Sequence, residues 1–347
     1  MKINKDDMIF CTLFDSNYLD KLLVMYYSLE KVSNQFKLFS FCFDRKSMDI
    51  LQKFNLKNMV LISHLDIETD ELRKIKKERS KAEYCWTCTP VIVEYVLKNF
   101  EVESCTYIDA DLYFFSNPRI IFNEIDVNRD HIIITEHRFP NTVKGKKWLK
   151  KSGKYCVEFN YFDQSKEAWE ALEWWKSKCF EWCYAKYEED RMGDQKYLEK
   201  FPELFVGVHE LQHLGAGVAP WNLSMYTLMS NSKSEIILSD KVNKKFPLIF
   251  FHFQNLKFLS SNIVNISSGT RDIKLKENIY YPYLEQIYKY RKMFEKEYGV
   301  EYEAKRYCSS NKVKAFIQKY ILQFKIGSLS DIVDISKLEN KHGNSSY

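Results

Sequence analysis

From residue 8 onward, short apolar runs alternate with stretches whose apolar residues recur at helical spacing, the pattern of βαβ units around a mainly parallel sheet. Residues 8–14 predict a first strand, 18–32 a helix, 37–43 a second strand, 46–54 a helix and 59–63 a third strand. Residues 68–81 are densely charged and read as a solvated helix or loop, whereas 90–100 is apolar at helical spacing and predicts a helix packed on the sheet. A fourth strand follows over 105–109. After a turn at Asn117-Pro118, strands are predicted over 131–135 and 155–159. Residues 165–184 read as an amphipathic helix with Trp169, Trp174, Trp175 and Trp182 in the core. The basic stretch 144–154 reads as a solvated surface turn, with a mobile loop over a site as the alternative.

Beyond about residue 275 the composition shifts to helix rich in Tyr, Lys and Glu. The organisation expected is an α/β unit over 1–275, a helical extension over 276–335 and a disordered tail over 336–347. Within the extension, Val313, Phe316, Ile317, Tyr320, Ile321 and Phe324 fall at helical spacing among Lys312, Lys314, Lys319 and Lys325. Such a basic amphipathic helix either packs on its own domain or lies on an anionic membrane surface.

Composition narrows the classes. At 347 residues the chain can bury a full core, and its 25 Phe, 23 Tyr and 7 Trp suit that core and sugar- or base-stacking surfaces alike. A net charge of +5 is dilute, which argues against duplex nucleic acid. No run of about 18 apolar residues occurs, and residues 1–7 lack a signal-peptide pattern, so the expectation is a cytosolic protein with at most peripheral contact with the inner face of a membrane. Nine scattered cysteines fit reduced thiols. Cys85/Cys88 and Cys179/Cys183 have zinc-like spacings but are about ninety residues apart without knuckle-type flanks, and Trp86 with Pro90 suggests a helix start.

The candidate chemistry centres on Cys105-Thr106-Tyr107-Ile108-Asp109-Ala110-Asp111-Leu112-Tyr113-Phe114-Phe115. Two carboxylates one residue apart in an apolar run are costly unless something pairs with them. On a strand end, positions i and i+2 share a side, so Asp109 and Asp111 can aim at one Mg²⁺ or Mn²⁺ ion that keeps sites for phosphates. The plain alternative is a turn with two solvated Asp residues. Upstream, Thr12, Asp15, Asn17 and Tyr18 sit where the first strand ends, able to read a base edge or merely to cap a helix. Gly193-Asp194-Gln195 reads by itself as a helix start with a capping Asp, and His252 as a histidine among Phe residues at a strand end. The segment 213–222 carries Gly215 and Gly217, which suit a tight turn near a ligand or a plain structural turn.

In this order and spacing, the strand ending in Asp-x-Asn-Tyr, the Tyr-Ile-Asp-Ala-Asp run with Asn-Pro after it, the later Phe-Asn, the Asp-Gln pair and the strand carrying His with a nearby Lys resemble the GT-A glycosyltransferases. The nearest resemblance is to family 8 and related bacterial nucleotide-sugar transferases, over about residues 8–257. The family-8 ending His-x-x-Gly-x-x-Lys-Pro-Trp is met only by His252 and Lys257, with the Lys one residue closer. The resemblance implies a Rossmann-like GT-A sheet flanked by helices and a metal-dependent transfer from a nucleotide diphosphate sugar, UDP-sugar first, to a glycan or glycolipid acceptor in bacterial surface polysaccharide synthesis. It implies Asp109, Asp111 and His252 as ligands of Mn²⁺ or Mg²⁺, Lys257 on phosphate, and Thr12, Asp15, Asn17 and Tyr18 on the nucleobase. Asn160 would lie beside the donor sugar, and Asp194 and Gln195 near the reacting carbon. Family 8 members retain the anomeric configuration, and retention is the expectation carried over.

Two other readings compete. Haloacid-dehalogenase phosphatases also place Asp-x-Asp after an apolar strand, but want Thr or Val where Tyr113 stands and an Asp soon after Gly-Asp, where Gln195, Lys196, Tyr197 and Leu198 follow. A non-catalytic sugar-nucleotide binding module would keep the cleft and lose the acidic residues that are all present here.

Overall fold

The computed structural model describes residues 3–231, 235–302 and 331–338. The first half alternates as the pattern requires: β1 (Met8–Phe14), α1 (Leu19–Val32), β2 (Phe36–Cys42), α2 (Arg45–Leu51), β3 (Met59–Ser63), α3 (Asp70–Glu78), α4 (Lys81–Asn99) and β4 (Ser104–Ile108). Then come β5 (Leu112–Phe114), α5 (Arg119–Phe122), β6 (Ile132–Glu136), α6 (Val143–Ser152), β7 (Tyr155–Asp163), α7 (Lys166–Glu181), α8 (Phe201–Leu204) and β8 (Val208–Glu210). The seven-stranded sheet has the order β3-β2-β1-β4-β7-β6-β8. Its β3/β2, β2/β1, β1/β4 and β6/β8 pairs are parallel, while β7 runs antiparallel to both β4 and β6. This is the mixed, mainly parallel α/β sheet the sequence predicts.

Burial on both faces explains why β1 and β2 are mostly apolar, with Thr12, Lys37 and Ser40 as buried exceptions. Ile9, Cys11, Phe39 and Phe41 enter the core under α4 and α7, while Met8, Phe10, Phe36 and Leu38 enter the one under α1. Successive strands leave β1 in opposite directions, to β2 on one side and to β4 on the other, so a crevice opens outside the carboxyl ends of β1 and β4.

Three local expectations are corrected. The helix placed at 90–100, with a start suggested near Trp86, begins at Lys81: Ser80 and Glu83 form a reciprocal capping box there, and Pro90 is accommodated inside α4. The basic stretch 144–154 is neither surface turn nor loop but α6, capped by Thr142. A side chain at Gly145 would meet the Pro140 carbonyl oxygen at 1.9 Å, so the close approach of the preceding chain requires glycine there. Asp194 stands at the N-terminus of a 3-10 turn over Gln195–Lys200 but does not cap it with its side chain.

The rest of the chain closes one side of the crevice. A small antiparallel sheet, β9 (Thr227–Asn231), β10 (Ile236–Ser239) and β11 (Lys245–Pro247), leads into β12 (Phe250–His252), which pairs antiparallel with β5. β13 (Lys257–Phe258), β14 (Ile263–Asn265) and, far along the chain, β15 (Ile332–Asp334) form a further three-stranded sheet. After the single turn α9 (Ile273–Leu275), α10 (Tyr281–Tyr298) packs on α1, with Tyr290 stacked on Tyr27 and Arg291 paired with the buried Asp20 at 2.6 Å. The basic amphipathic stretch 313–324 and residues 339–347 lie outside the described residues, while the described end of the expected helical extension and tail is not helix or disordered chain but β15 followed by a 3-10 turn over Ile335–Lys337. Eight described cysteines are free thiols, seven of them buried. Trp175 is fully buried, with Trp169 and Trp174 packed against the same core. Among the described residues no helix is long and apolar enough to cross a membrane.

Candidate functional site

β4 ends at Ile108, so Asp109 is the first residue past the sheet, and β5 starts directly after Asp111. Pairing of β12 with β5 sets His252 opposite Leu112 and returns its ring to the aspartates. His252 Nε2 lies 3.2 Å from Asp111 Oδ1 and 3.4 Å from Asp109 Oδ2. One ligand atom from each of the three residues lies within 4.8 Å of the other two. The other ring nitrogen, Nδ1, is 2.7 Å from Oε2 of Glu158, which is wholly buried on β7. Tyr107 donates its hydroxyl to Asp109 Oδ1 at 2.8 Å, and Lys21 from α1 reaches Asp111 Oδ2 at 3.5 Å while standing over the Tyr18 ring.

Electrostatics follow from this packing. Burial pushes the Asp109 carboxyl up to about 7, with the neighbouring Asp111 adding and His252 opposing. Burial acts on Asp111 in the same sense, but Lys21 and His252 outweigh it and hold that carboxyl below its usual range. For His252, burial disfavours the charged ring, yet Asp111 and the hydrogen bonds around it hold its pKa well above the ordinary value. The imidazolium therefore sits where a cation is wanted.

These side chains open into a cleft of about 1830 Å³. Asp15, Tyr18, Asp194, Gln195 and Lys257 line it together with Asp109, Asp111 and His252. Thr12, Asn17 and Asn160 do not line it. Thr12 and Asn160 are fully buried, and Asn17 is exposed with its backbone N–H on Asp15 Oδ1. Asp15 thus caps its turn and also pairs with Lys81 from α4. Gly215 and Gly217 serve a structural turn: a side chain at Gly215 would meet the Pro247 carbonyl oxygen at 1.8 Å, and Gly217 has φ +74°. A shallower concavity of about 460 Å³, lined by Arg129, Asp130, His209 and Gln212, lies apart at the β8 edge.

Burial pushes the Asp194 carboxyl up to about 7, with the Thr89 hydroxyl opposing and Asp109 adding. Folding then favours its protonated form, a contribution that is complete below the ordinary value of 3.8 and is lost as pH rises toward 7. In chelator, wild-type protein is expected to lose stability relative to Asp194→Asn between about pH 4 and 7, by up to roughly 4 kcal/mol. Denaturant unfolding of both proteins across that window checks this, and a pH-independent difference would contradict it.

Glu158 and Lys21 carry no role in the sequence reading, Tyr107 enters it only as part of the Tyr-Ile-Asp-Ala-Asp run, and residues 144–154 enter it only as a turn or a loop over a site. Glu158 did carry a signal: a lone carboxylate in the apolar run Tyr155-Cys156-Val157-Glu158-Phe159 poses the same pairing question as Asp109 and Asp111. Lys21 is one helical turn from Tyr18, but nothing in spacing says that α1 would aim it at residue 111.

The fold and site define an α/β protein with a two-aspartate, one-histidine centre at the carboxyl ends of its sheet strands. The chain belongs to the family of two Bacillus subtilis (strain 168) proteins, "Uncharacterized protein YfnD", 31% identical over 280 residues, and "Uncharacterized protein YfnF", 32% identical over 298 residues. These alignments cover 79% of this chain and 87% of YfnD, and 84% of this chain and 96% of YfnF. No family model matches the chain. Among solved structures it is similar to the galactosyltransferase LgtC in complex with donor and acceptor sugar analogs, at 15% identity and TM-score 0.47, covering 72% of this chain and 87% of LgtC. It is also similar to mouse xyloside xylosyltransferase 1, at 16% identity and TM-score 0.40, covering 62% of this chain and 87% of that one.

Proposed function

We propose that this cleft transfers a sugar from a nucleotide diphosphate sugar, a UDP-sugar first among them, to a hydroxyl of a glycan or glycolipid acceptor in bacterial surface polysaccharide synthesis. The observation that carries the reading is the convergence of Asp109, Asp111 and His252 inside a large cleft that Lys257, Asp194 and Gln195 share. The donor set suits Mn²⁺ or Mg²⁺. It has two carboxylate oxygens and one imidazole nitrogen: Glu158 on Nδ1 turns Nε2 toward the two aspartates, where it can ligate the ion once it gives up its proton. When bound, the cation supplies Lewis-acid stabilisation to the departing diphosphate.

The chain's own residues do the remainder. Lys257 faces the cleft and adds positive charge where the leaving group gathers negative charge. Tyr18 presents an exposed ring beside Asp15 at the crevice mouth, a stacking surface for the base. In the reaction the bond from the anomeric carbon to the diphosphate breaks with its electron pair going to the diphosphate, and the acceptor oxygen bonds to that carbon. The acceptor proton is lost, and Asp194, with a carboxyl near 7, is matched to receive it at neutral pH. The resemblance to family 8 favours retention at the anomeric carbon.

A panel of UDP-, GDP- and CDP-sugars, assayed for donor hydrolysis with Mn²⁺ and again with chelator, tests the proposal. Hydrolysis of one donor that ceases with chelator is expected. UDP binding indifferent to chelator with no turnover would favour a binding module instead, and turnover of a simple phosphate ester without any sugar nucleotide would favour a phosphatase.

A further inference from the structure

Part of the cleft lining is formed by Phe139, Trp148 and Trp221. This wall is built of aromatic rings in mutual contact. Trp221 stands against His252 with ring centroids 5.5 Å apart, and its indole N–H donates to the His137 carbonyl at 2.7 Å. His137 is stacked on Phe139 at 4.5 Å, and Phe139 meets Trp148 of α6 at 5.8 Å. Burial drives the His137 pKa down to about 3, so this wall is uncharged from Trp221 outward.

The wall ends on a strongly charged helix. Between Glu136 and Glu158 the sequence has six Lys and one Arg and no acidic residue. Lys144, Trp148 and Lys151 fall on one face of α6 and line the cleft, Lys147 flanks that face, and Lys146 and Lys150 fall on the outer side. Lys144 stands 4.5 Å from the Trp148 ring centroid. Among the described residues none of these five lysines makes an ion pair, so their charge is uncompensated. α6 is also joined to the candidate reacting centre, since Gln195 Nε2 donates to the Ser152 carbonyl at 2.8 Å and Lys196 Nζ to the Lys150 carbonyl at 3.0 Å.

We infer that the wall of Trp221, Phe139 and Trp148, with Lys144 and Lys151 at its end, is the acceptor subsite and takes a saccharide bearing a negatively charged substituent. This rests on the transferase reading for the word acceptor. The apolar C–H face of a pyranose lies against an aromatic ring, and two unpaired ammonium groups beside that ring favour an anionic substituent over a neutral sugar. The phosphate and carboxylate forms of that substituent share this chemistry and are separated by experiment.

Dissociation constants for glucose 6-phosphate, glucuronate, glucose and inorganic phosphate are measured by calorimetry on the full chain without donor. At least one anionic sugar is expected to bind about tenfold tighter than glucose and tighter than inorganic phosphate. Which of the two does so tells phosphate from carboxylate. Lys144→Ala/Lys151→Ala is expected to abolish the preference, and the outer-side Lys146→Ala/Lys150→Ala to keep it. Equal binding of glucose, binding of inorganic phosphate as tight as that of the sugar phosphate, or a preference that survives the cleft-face pair or falls equally with the outer pair would overturn the inference. Donor hydrolysis is scored separately. Its absence alongside an intact, Lys144- and Lys151-dependent preference overturns the transferase reading and leaves an anionic-sugar site standing.

Discussion

Asp109→Asn is expected to cut metal-dependent donor turnover by about 10²–10³-fold while leaving the fold intact. The choice of residue follows from the electrostatics. Asp111 is held ionised by Lys21 and His252, so removing its charge leaves a buried lysine short of a partner and mixes stability into the result. Asp109 is different: its carboxyl is pushed up to about 7 by burial and the neighbouring Asp111, so an amide resembles a form it already adopts near neutral pH without metal. Loss of turnover at an unchanged melting midpoint would thus report loss of cation grip. The same variant should lose the thermal stabilisation that Mn²⁺ gives wild-type protein, which for ligand at a hundred times its Kd is about 2.7 kcal/mol. Wild-type turnover in Asp109→Asn refutes the metal role of this pair.

Glu158 gives the second large effect, through His252. Its Oε2 holds Nδ1 at 2.7 Å and fixes which nitrogen faces the aspartates, and both residues are buried. Glu158→Gln keeps the shape and can still accept a hydrogen bond, so the fold should survive while Mn²⁺ affinity falls about 10–100-fold. Glu158→Ala is more drastic. It opens a cavity and leaves His252 beside two aspartates without its anchor, at a cost of about 3–5 kcal/mol in unfolding free energy. The informative readout is the split between the Mn²⁺ concentration at half-maximal rate and the rate at saturating Mn²⁺. Glu158→Gln should move the first far more than the second. A Glu158→Gln variant with wild-type Mn²⁺ dependence reduces Glu158 to a packing residue.

Much of the frame is readable from the chain because periodicity is a local property. β1 and β3 fall on the predicted residues, and the remaining early elements differ by one to four residues at their ends. In α4, Pro90 obscures a start that Ser80 and Glu83 set ten residues earlier. The lysines that cover α6 read as a solvated turn, whereas the Thr142 cap starts a helix there and Gly145 admits the close approach of the Pro140 backbone.

The sequence by itself determined the alternating α/β course of the chain and the presence of two carboxylates that need a partner, since both follow from the order of apolar and charged residues. Tertiary structure alone decided the partners. The pairing of β12 with β5 brings His252 across 141 positions to Asp111, β7 supplies Glu158 from beneath, and α1 supplies Lys21 from the side. It also buried Asn160 and Thr12 outside the cleft lining and set Lys144 and Lys151 of a basic run along one cleft wall. The physical reason is that side-chain direction is set by strand register and helix phase, which depend on contacts between residues far apart in the chain.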